Sequence, residues 1–378
     1  AKADARGAHI VMVGILPTLM PEHLSHDWMS ESHRYRALNE SIFTARGEDI
    51  LIDIAGPERL SLYSATIAPE SACTSMQLHL QVAPADFAAN WNAAQIVAGP
   101  QLALGANSPF FFGHQLWAET RVELFKQATD TRPDELKAQG VRPRVWFGER
   151  WITSIFDLFE ENVRYFPSLL PELSDEDPKA ELAAGRTPAL HELRLHNGTV
   201  YRWNRPVYDV VRGRPHLRVE NRVLPAGPTV IDMMANSAFY YGLLRTLSEE
   251  DRPLWTKLSF AAAEHNFTAA ARDGIEARLY WPGLGEVTAD ELTLRRLLPM
   301  ADAGLRRWGV AGEVRDRFLG VIEGRAKTGR NGATWQVGTV HALQRNGLSR
   351  PHALAEMLRL YCERMHSNAP VHTWDGPR

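Results

Sequence analysis

The sequence predicts an α+β fold in which an antiparallel β-sheet is packed with long helices. Two observations support this prediction: strands with alternating side chains are joined by short turns, and long helical segments lie between them. The sequence lacks a regular alternation of strand and helix, and it lacks a glycine-rich phosphate loop after a strand. It therefore gives no support to a Rossmann or P-loop fold.

The composition is that of an ordinary globular protein. The chain has 378 residues, of which 44% are hydrophobic and 23% charged, and its formal net charge is −3. This charge argues against nucleic acid as a partner, and no apolar stretch approaches the roughly 20 residues of a membrane span. The two cysteines, Cys73 and Cys362, form no CxxC pair. We therefore expect neither a disulfide framework nor a zinc site, and we expect a cytoplasmic location.

The predicted elements follow one another without an internal repeat. In the first half of the chain we expect strands over residues 8–16, 50–54 and 74–82, and helices over residues 33–46, 83–104 and 153–166. In the second half we expect strands over residues 193–208 and 215–224, joined by a turn at residues 212–214, and helices over residues 228–247 and 255–272. From about residue 288 to 378 the chain is expected to be mainly helical, as a part of one catalytic domain that covers residues 1–378.

The strand predicted over residues 74–82 has one polar face. Because side chains alternate along a strand, Ser75, Gln77, His79 and Gln81 share this face. A solvated surface would explain the pattern. A polar cavity would explain it as well, since the row contains no Lys or Glu and could bind a metal, a phosphate or an amino acid.

The strand that follows the turn places Arg218, Glu220 and Arg222 on one face. One interpretation is a row of surface ion pairs, which stabilises a protein little. The other is a carboxylate that holds Mg²⁺ between two guanidinium groups that hold phosphate. The preceding strand carries Arg202 and Asn204 on one face and Trp203 and Arg205 on the other. An aromatic ring next to two arginines is explained by a cation–π cluster at the surface or by a site that binds carboxylate or phosphate. The adjacent face with Glu220 favours the site.

Five short segments, in the same order, resemble the glutamate–cysteine ligase and carboxylate–amine ligase family. They are Ala106–Pro109 with Trp117–Arg121 ("ANSP … R"), Gln77–His79 ("QxH"), Arg202–Pro206 ("WDxRP"), Val219–Val223 ("IExRV") and Glu264–Gly274 ("ENxxxAxRxG"). Each segment is short, but five together are specific, and the resemblance covers most of the chain, from about residue 10 to 336.

The resemblance implies a fold similar to the glutamine synthetase and guanidino-kinase core, with an antiparallel sheet that cups ATP and Mg²⁺. It implies that the carboxylate of glutamate, or of a similar amino acid, attacks ATP and that an amine such as cysteine then displaces phosphate. The roles that it implies are catalytic for Arg121 and Arg222, metal-binding for His79 and Glu220, and substrate- or ATP-binding for Gln77, Asn107, Arg202, Asn204, Arg205 and Arg272.

The sequence departs from this family in two places. The family's first strand carries a glutamate-rich "GxExE" segment that supplies metal ligands, and no such segment precedes Ile10. We therefore expect the family's N-terminal strands to be missing from this chain. Asn204 stands where the family more often has an acidic residue.

Two alternative functions stay open at this point. One is a metal-dependent hydrolase that uses His79, Glu220 and another carboxylate, and the other is a nucleotide- or amino-acid-binding protein without catalysis. The sequence does not decide which amine is used, nor whether the chain forms a homo-oligomer.

Overall fold

The computed structural model describes residues 2–24 and 32–376, and these residues form an α+β structure, as the sequence predicts. The strands are β1 (Ile50–Ala55), β2 (Arg59–Ser64), β3 (Leu78–Val82), β4 (Phe110–Phe111), β5 (His114–Gln115), β6 (Val145–Trp146), β7 (Tyr201–Arg202), β8 (Asn204–Val211), β9 (Arg214–Asn221), β10 (Arg278–Trp281) and β11 (Gly285–Thr288). The helices are α1 (His33–Arg46), α2 (Ala68–Ser71), α3 (Phe87–Gly105), α4 (Arg121–Ala128), α5 (Asp134–Ala138), α6 (Ile155–Tyr165), α7 (Pro178–Ala183), α8 (His191–Asn197), α9 (Val230–Ser248), α10 (Phe260–Asp273), α11 (Ala289–Leu292), α12 (Leu298–Arg307), α13 (Gly312–Thr328), α14 (Gly332–Arg345) and α15 (Arg350–Ser367).

A three-stranded antiparallel sheet in the order β3–β9–β8 carries most of the predicted site residues. Its apolar face, which includes Leu78 and Val219, is buried and packs on α3. Helix α3 is apolar nearly all round, so it is enclosed on every side by the sheet and by the helices α9 and α10. The opposite face of the sheet carries the polar side chains.

The turn between β8 and β9 is the one that the sequence predicts. Arg212 and Gly213 both have positive φ angles, 52° and 74°. A two-residue turn with two such residues matches the right-handed twist of the flanking strands. It also sets the register, in which Val211 pairs with Arg214.

Two predicted strands are wrong. Residues 8–16 contain no strand; Ile10 is exposed, whereas Val13 and Ile15 are buried. The segment crosses the structure with single backbone hydrogen bonds, from Gly14 to the Asn107 carbonyl and from Thr74 to the Gly14 carbonyl. An apolar run can thus be buried by side chains alone, without a neighbouring strand.

The strand predicted over residues 193–208 is a helix followed by two strands. Its first part belongs to α8, and β7 and β8 then pair with different neighbours, β6 in parallel and β9 in antiparallel fashion. Asn197, the last residue of α8, donates from Nδ2 to the Pro206 carbonyl at 2.7 Å. This contact between helix and strand could not be read from local alternation.

The C-terminal part, from Ala289 onward, is built from helices in the described chain. These helices pack on α3 and α9 and on one another. Within residues 2–24 and 32–376, no helix has both the length and the apolar composition that crossing a membrane requires. The assignment of all 378 residues to one domain stays a prediction.

Candidate functional site

The polar face of the β3–β9–β8 sheet brings three predicted residues into one row. His79 lies opposite Glu220 in the β3–β9 pair, and Glu220 lies opposite Arg205 in the β9–β8 pair. Arg218 is two positions along β9 from Glu220 and is paired with Gln81. The alternation expected from the sequence therefore places these side chains on a common surface.

Glu220 is bound to Arg205. Its Oε2 atom accepts a hydrogen bond from Arg205 Nε at 2.7 Å, and a second guanidinium nitrogen lies 2.7 Å from the same oxygen. The Glu220 side chain is nearly buried, whereas that of Arg205 is about one-fifth exposed, at 21%. The Glu220 carboxylate thus holds the Arg205 guanidinium in place at the edge of the polar face of the β3–β9–β8 sheet, which we call the open surface.

Arg218 contacts His79 across the strand pair. Its Nε donates to His79 Nδ1 at 3.1 Å, and its Nη1 lies 2.7 Å from His216 Nε2 and 3.4 Å from Asp209 Oδ2. Burial lowers the pKa of His79, Glu220 opposes this, and the nearby arginines add to it. The ring is therefore neutral at pH 7.

A β-bulge ends the sheet next to Arg222. Between the pairs Leu78↔Asn221 and Ser75↔Pro225, the segment before β3 contributes two residues, 76 and 77. The segment after β9 contributes three residues, 222–224, which include Arg222. Bulges bend a strand and change the direction of a side chain, and they are frequent beside active sites. In the described chain the half-buried Arg222 side chain makes no hydrogen bond or ion pair.

Arg222 and its charged neighbours shift one another's pKa values. Burial and the nearby Arg205 lower the pKa of Arg222, and Glu220 opposes them. Glu70, on α2, is also coupled to it: burial raises the pKa of Glu70, and Arg222 lowers it. Arg222 is thus a cation beside the sheet face whose hydrogen-bonding groups are available to a ligand.

A cavity of about 400 Å³ opens beside the same face. Arg205 and Arg218 line it from the sheet, Arg34 lines it from α1, and Arg194 lines it from α8. Arg194 forms an ion pair at 2.9 Å with Asp209, the same carboxylate that Arg218 contacts. Such a concentration of guanidinium groups suits phosphate or carboxylate oxygens.

Two of the predicted site residues, Asn107 and Arg121, lie in the core and are engaged there. The Asn107 amide donates to the Ala226 carbonyl and the Tyr361 hydroxyl, both at 2.8 Å, and accepts from Gln336 at 2.8 Å. Arg121 pairs with the buried Glu119 at 3.0 Å and donates to the carbonyls of residues 222 and 223. Arg121 therefore supports the backbone that follows β9.

Arg202 and Asn204 also point into the interior. Arg202 forms an ion pair with Glu161 at 2.9 Å, and burial lowers its pKa to about 10 despite this partner. The Asn204 amide donates to Gln95 at 2.7 Å and accepts from Asn221 at 2.8 Å. The structure places neither side chain on the open surface with Glu220.

The two remaining predicted residues are exposed at different places. Gln77 directly precedes β3 on the exposed side of the chain, near the open surface. Arg272, at the end of α10, forms an ion pair with Asp273 at 2.8 Å and lines a separate cavity of about 710 Å³. None of the residues of the polar row lines this second cavity.

The magnesium-binding role that the family resemblance implies for His79 and Glu220 stays a prediction. Mg²⁺ requires oxygen ligands and is usually held by one or two carboxylates together with substrate phosphates. One Glu220 oxygen is taken by Arg205, and Arg218 donates to the unprotonated nitrogen of His79. Within residues 2–24 and 32–376, no three His, Cys, Asp or Glu side chains are grouped as a metal would need.

Several residues of this surface were not among the predicted site residues. Arg218 was detectable, because it shares the strand face of Glu220. Arg34, Arg194 and Glu70 had no local signal, since they come from α1, α8 and α2 and meet the sheet only in the folded chain.

Comparison with known protein families identifies the family of the chain. The comparison with curated proteins found no match for the chain. The family model of glutamate-cysteine ligase family 2 matches residues 1–352, which is most of the chain. The chain therefore belongs to glutamate-cysteine ligase family 2.

Proposed function

We propose that the chain is an ATP-dependent carboxylate–amine ligase that joins glutamate, or a similar amino acid, to an amine such as cysteine. The observation that carries this proposal is the set of arginines around one end of the β3–β9–β8 sheet, where Arg222 makes no bond within the described protein. Phosphoryl transfer depends mainly on positioning and on neutralising charge. Guanidinium groups held beside a cavity of about 400 Å³ provide both.

The reaction has two steps. A carboxylate oxygen of the amino acid forms a bond to the γ-phosphorus of ATP, and the bond to the leaving ADP breaks. The amine nitrogen then bonds to the acyl carbon of the resulting acyl phosphate, and inorganic phosphate leaves. In this scheme Arg222 binds the transferred phosphoryl group, and Arg205, held by Glu220, binds a second phosphate or carboxylate oxygen.

The core residues support this surface from behind. Arg121 holds the carbonyls of residues 222 and 223 and so positions the backbone at Arg222. Asn204 and Asn221 are hydrogen-bonded to each other on the buried face, which holds β8 and β9 in register. In our proposal these residues position the site and do not touch substrate.

The proposed partners are small molecules, and the proposed location is the cytoplasm. Cys73 and Cys362 are both free thiols, which agrees with a reducing compartment.

The test is release of ADP from ATP in the presence of magnesium, with glutamate and a panel of amines that includes cysteine. We expect ADP only when glutamate and one amine are both present, and that amine identifies the acceptor. The matched control for variants of the site arginines, such as R222A, is R186A, which removes an exposed arginine paired with Glu181 on α7. Absence of ADP with every amine, while ATP binding is still measurable, would favour a binding protein without catalysis. The small number of carboxylates near the sheet face favours the same alternative.

A further inference from the structure

The orientation of His79 is determined by Arg218. The Arg218 guanidinium is held by Asp209 and His216, and its Nε–H is directed at His79 Nδ1, 3.1 Å away. A nitrogen that accepts this hydrogen bond carries a lone pair and no proton. In the neutral ring the single proton must then lie on Nε2.

A histidine in this tautomer is a hydrogen-bond donor at Nε2. It has no lone pair there to offer a cation, because its lone pair at Nδ1 faces Arg218. An oxygen atom with negative charge is the natural partner of such an N–H group. The ring therefore has the chemistry of an anion ligand and not that of a metal ligand.

The charges around the ring favour the same partner. The described residues that line the sheet face and its adjoining cavity include five arginines, Arg34, Arg194, Arg205, Arg218 and Arg222, but only three carboxylates, Asp209, Glu220 and Glu70. Asp209 and Glu220 are already paired with arginine, and burial raises the pKa of Glu70. A divalent cation would be repelled from this surface, whereas a phosphate or carboxylate would be attracted.

We propose that the face formed by His79, Arg205, Arg218, Glu220 and Arg222 binds a phosphate or carboxylate oxyanion directly, without magnesium. His79 donates its Nε2–H to the anion, and Arg222 supplies the free guanidinium. Arg218 is the positioning residue for His79, and Glu220 is the positioning residue for Arg205. The inference rests on the proposed function only for the identity of the anion, a nucleotide polyphosphate or an amino-acid carboxylate.

The first experiment observes the His79 tautomer by NMR of the full chain labelled with ¹⁵N in histidine. The signal is assigned with H79Q. We expect a protonated Nε2 and an unprotonated Nδ1, unchanged on addition of magnesium. In R218K, which keeps the charge but cannot present the same Nε–H, we expect a mixture of tautomers, and in R186K no change. A proton on Nδ1 in the unchanged protein, or a magnesium-induced shift of Nε2, would overturn the proposal.

The second experiment measures binding by calorimetry in the presence of EDTA. Tripolyphosphate and glutamate are titrated separately, so that the two arms distinguish a phosphate source from a carboxylate source. We expect one of them to bind, and its Kd to rise about tenfold or more in R222Q and in H79A, since each loses a charge-assisted hydrogen bond. H79Q, whose amide can replace the Nε2–H donor, should recover most of the affinity.

The outcomes separate this inference from the proposed function. Neither experiment requires turnover, so an Nε2–H tautomer with binding in EDTA supports the inference even if no ADP is ever released. Binding that appears only with magnesium would contradict the inference and leave the ligase proposal intact. Failure of both ligands to bind the unchanged protein in EDTA would also contradict it. Circular dichroism of R218K and H79A checks that the changes seen in these variants do not result from unfolding.

Discussion

Arg202 and Arg222 carry the same guanidinium group into different environments. Arg202 is enclosed and paired with Glu161, and it also donates to Asn162 at 3.1 Å. Arg222 is half-buried and forms no hydrogen bond or ion pair with other described residues. Arg202 therefore contributes to the stability of the protein, whereas Arg222 is available to bind a ligand.

This contrast predicts opposite results for two alanine variants. R202A leaves the buried Glu161 without its partner, and we expect it to lower the free energy of unfolding by about 3–5 kcal/mol. R222A breaks no hydrogen bond or ion pair to any other residue that the structure describes, so we expect a change of no more than about 1 kcal/mol. Because Arg222 would meet charge that develops in the transition state, R222A should reduce ADP release about 100-fold or more.

Urea denaturation and the ADP assay check both variants. A strongly destabilised R222A would show that its side chain is part of the core. A fully active R222A would show that the site does not lie at this end of the sheet.

At the scale of single elements, the turn between β8 and β9 determines which residues of β9 face the open surface. Gly213 has a φ angle of 74°, a conformation that is unfavourable for residues with a Cβ atom. We expect G213A to lower the free energy of unfolding by about 1–2 kcal/mol. As a control, Gly320 lies in α13 with open space where a Cβ would be, and G320A should raise stability by up to about 1 kcal/mol. Equal effects of the two substitutions in thermal unfolding would contradict this interpretation of the turn.

The start of α8 is joined to the preceding segment by a carboxylate whose ionisation matters. Glu192 Oε1 accepts hydrogen bonds from the backbone N and the hydroxyl of Ser174, at 2.6 and 2.8 Å. These bonds lower the pKa of Glu192 to about 2. Because the folded-state pKa lies below the unfolded value, the carboxylate stabilises the protein above about pH 4.5, and this contribution is lost as the pH falls toward 2.

E192Q should therefore unfold at a lower temperature than the unchanged protein at pH 7, and the two Tm values should converge as the pH falls toward 3. E172Q, which removes an exposed carboxylate of the neighbouring segment, provides the control and should show no such convergence. A Tm difference for E192Q that is independent of pH would contradict the assignment.

Across the whole molecule, one buried ion pair joins helices that are distant in sequence. Arg325 of α13 lies 2.8 Å from Asp232 of α9, and both side chains are almost fully buried. Arg325 also donates to Asn236 at 2.6 Å, and the Val371 amide donates to Asp232. This cluster links α9, α13 and the C-terminal segment around residue 371.

D232N should lower the free energy of unfolding by about 3–5 kcal/mol, because it leaves the buried Arg325 charge without compensation. In a double-mutant cycle with R325M, the combined loss should be smaller than the sum of the two single losses. Denaturant unfolding measures all four proteins. Additive losses would show that the two side chains do not interact in solution.

The α+β class, the polar face of β9 and its turn were readable from the sequence, because each depends on neighbours within a few residues. Alternation along a strand decides which side chains share a face, so Arg218, Glu220 and Arg222 could be grouped without any knowledge of the fold. The same reasoning was wrong for residues 8–16 and 193–208, since an apolar run does not reveal whether another strand lies beside it.

The tertiary structure alone decided which of the predicted arginines are available to bind a ligand. At the level of sequence Arg121, Arg202 and Arg222 are all candidate site residues, and only packing reveals that the first two are buried against Glu119 and Glu161. The cavity beside the sheet likewise exists because α1 and α8 bring Arg34 and Arg194 to β8 and β9. The periodicity of a strand is a local property of the backbone, whereas burial and ion pairing depend on contacts between segments far apart in the chain.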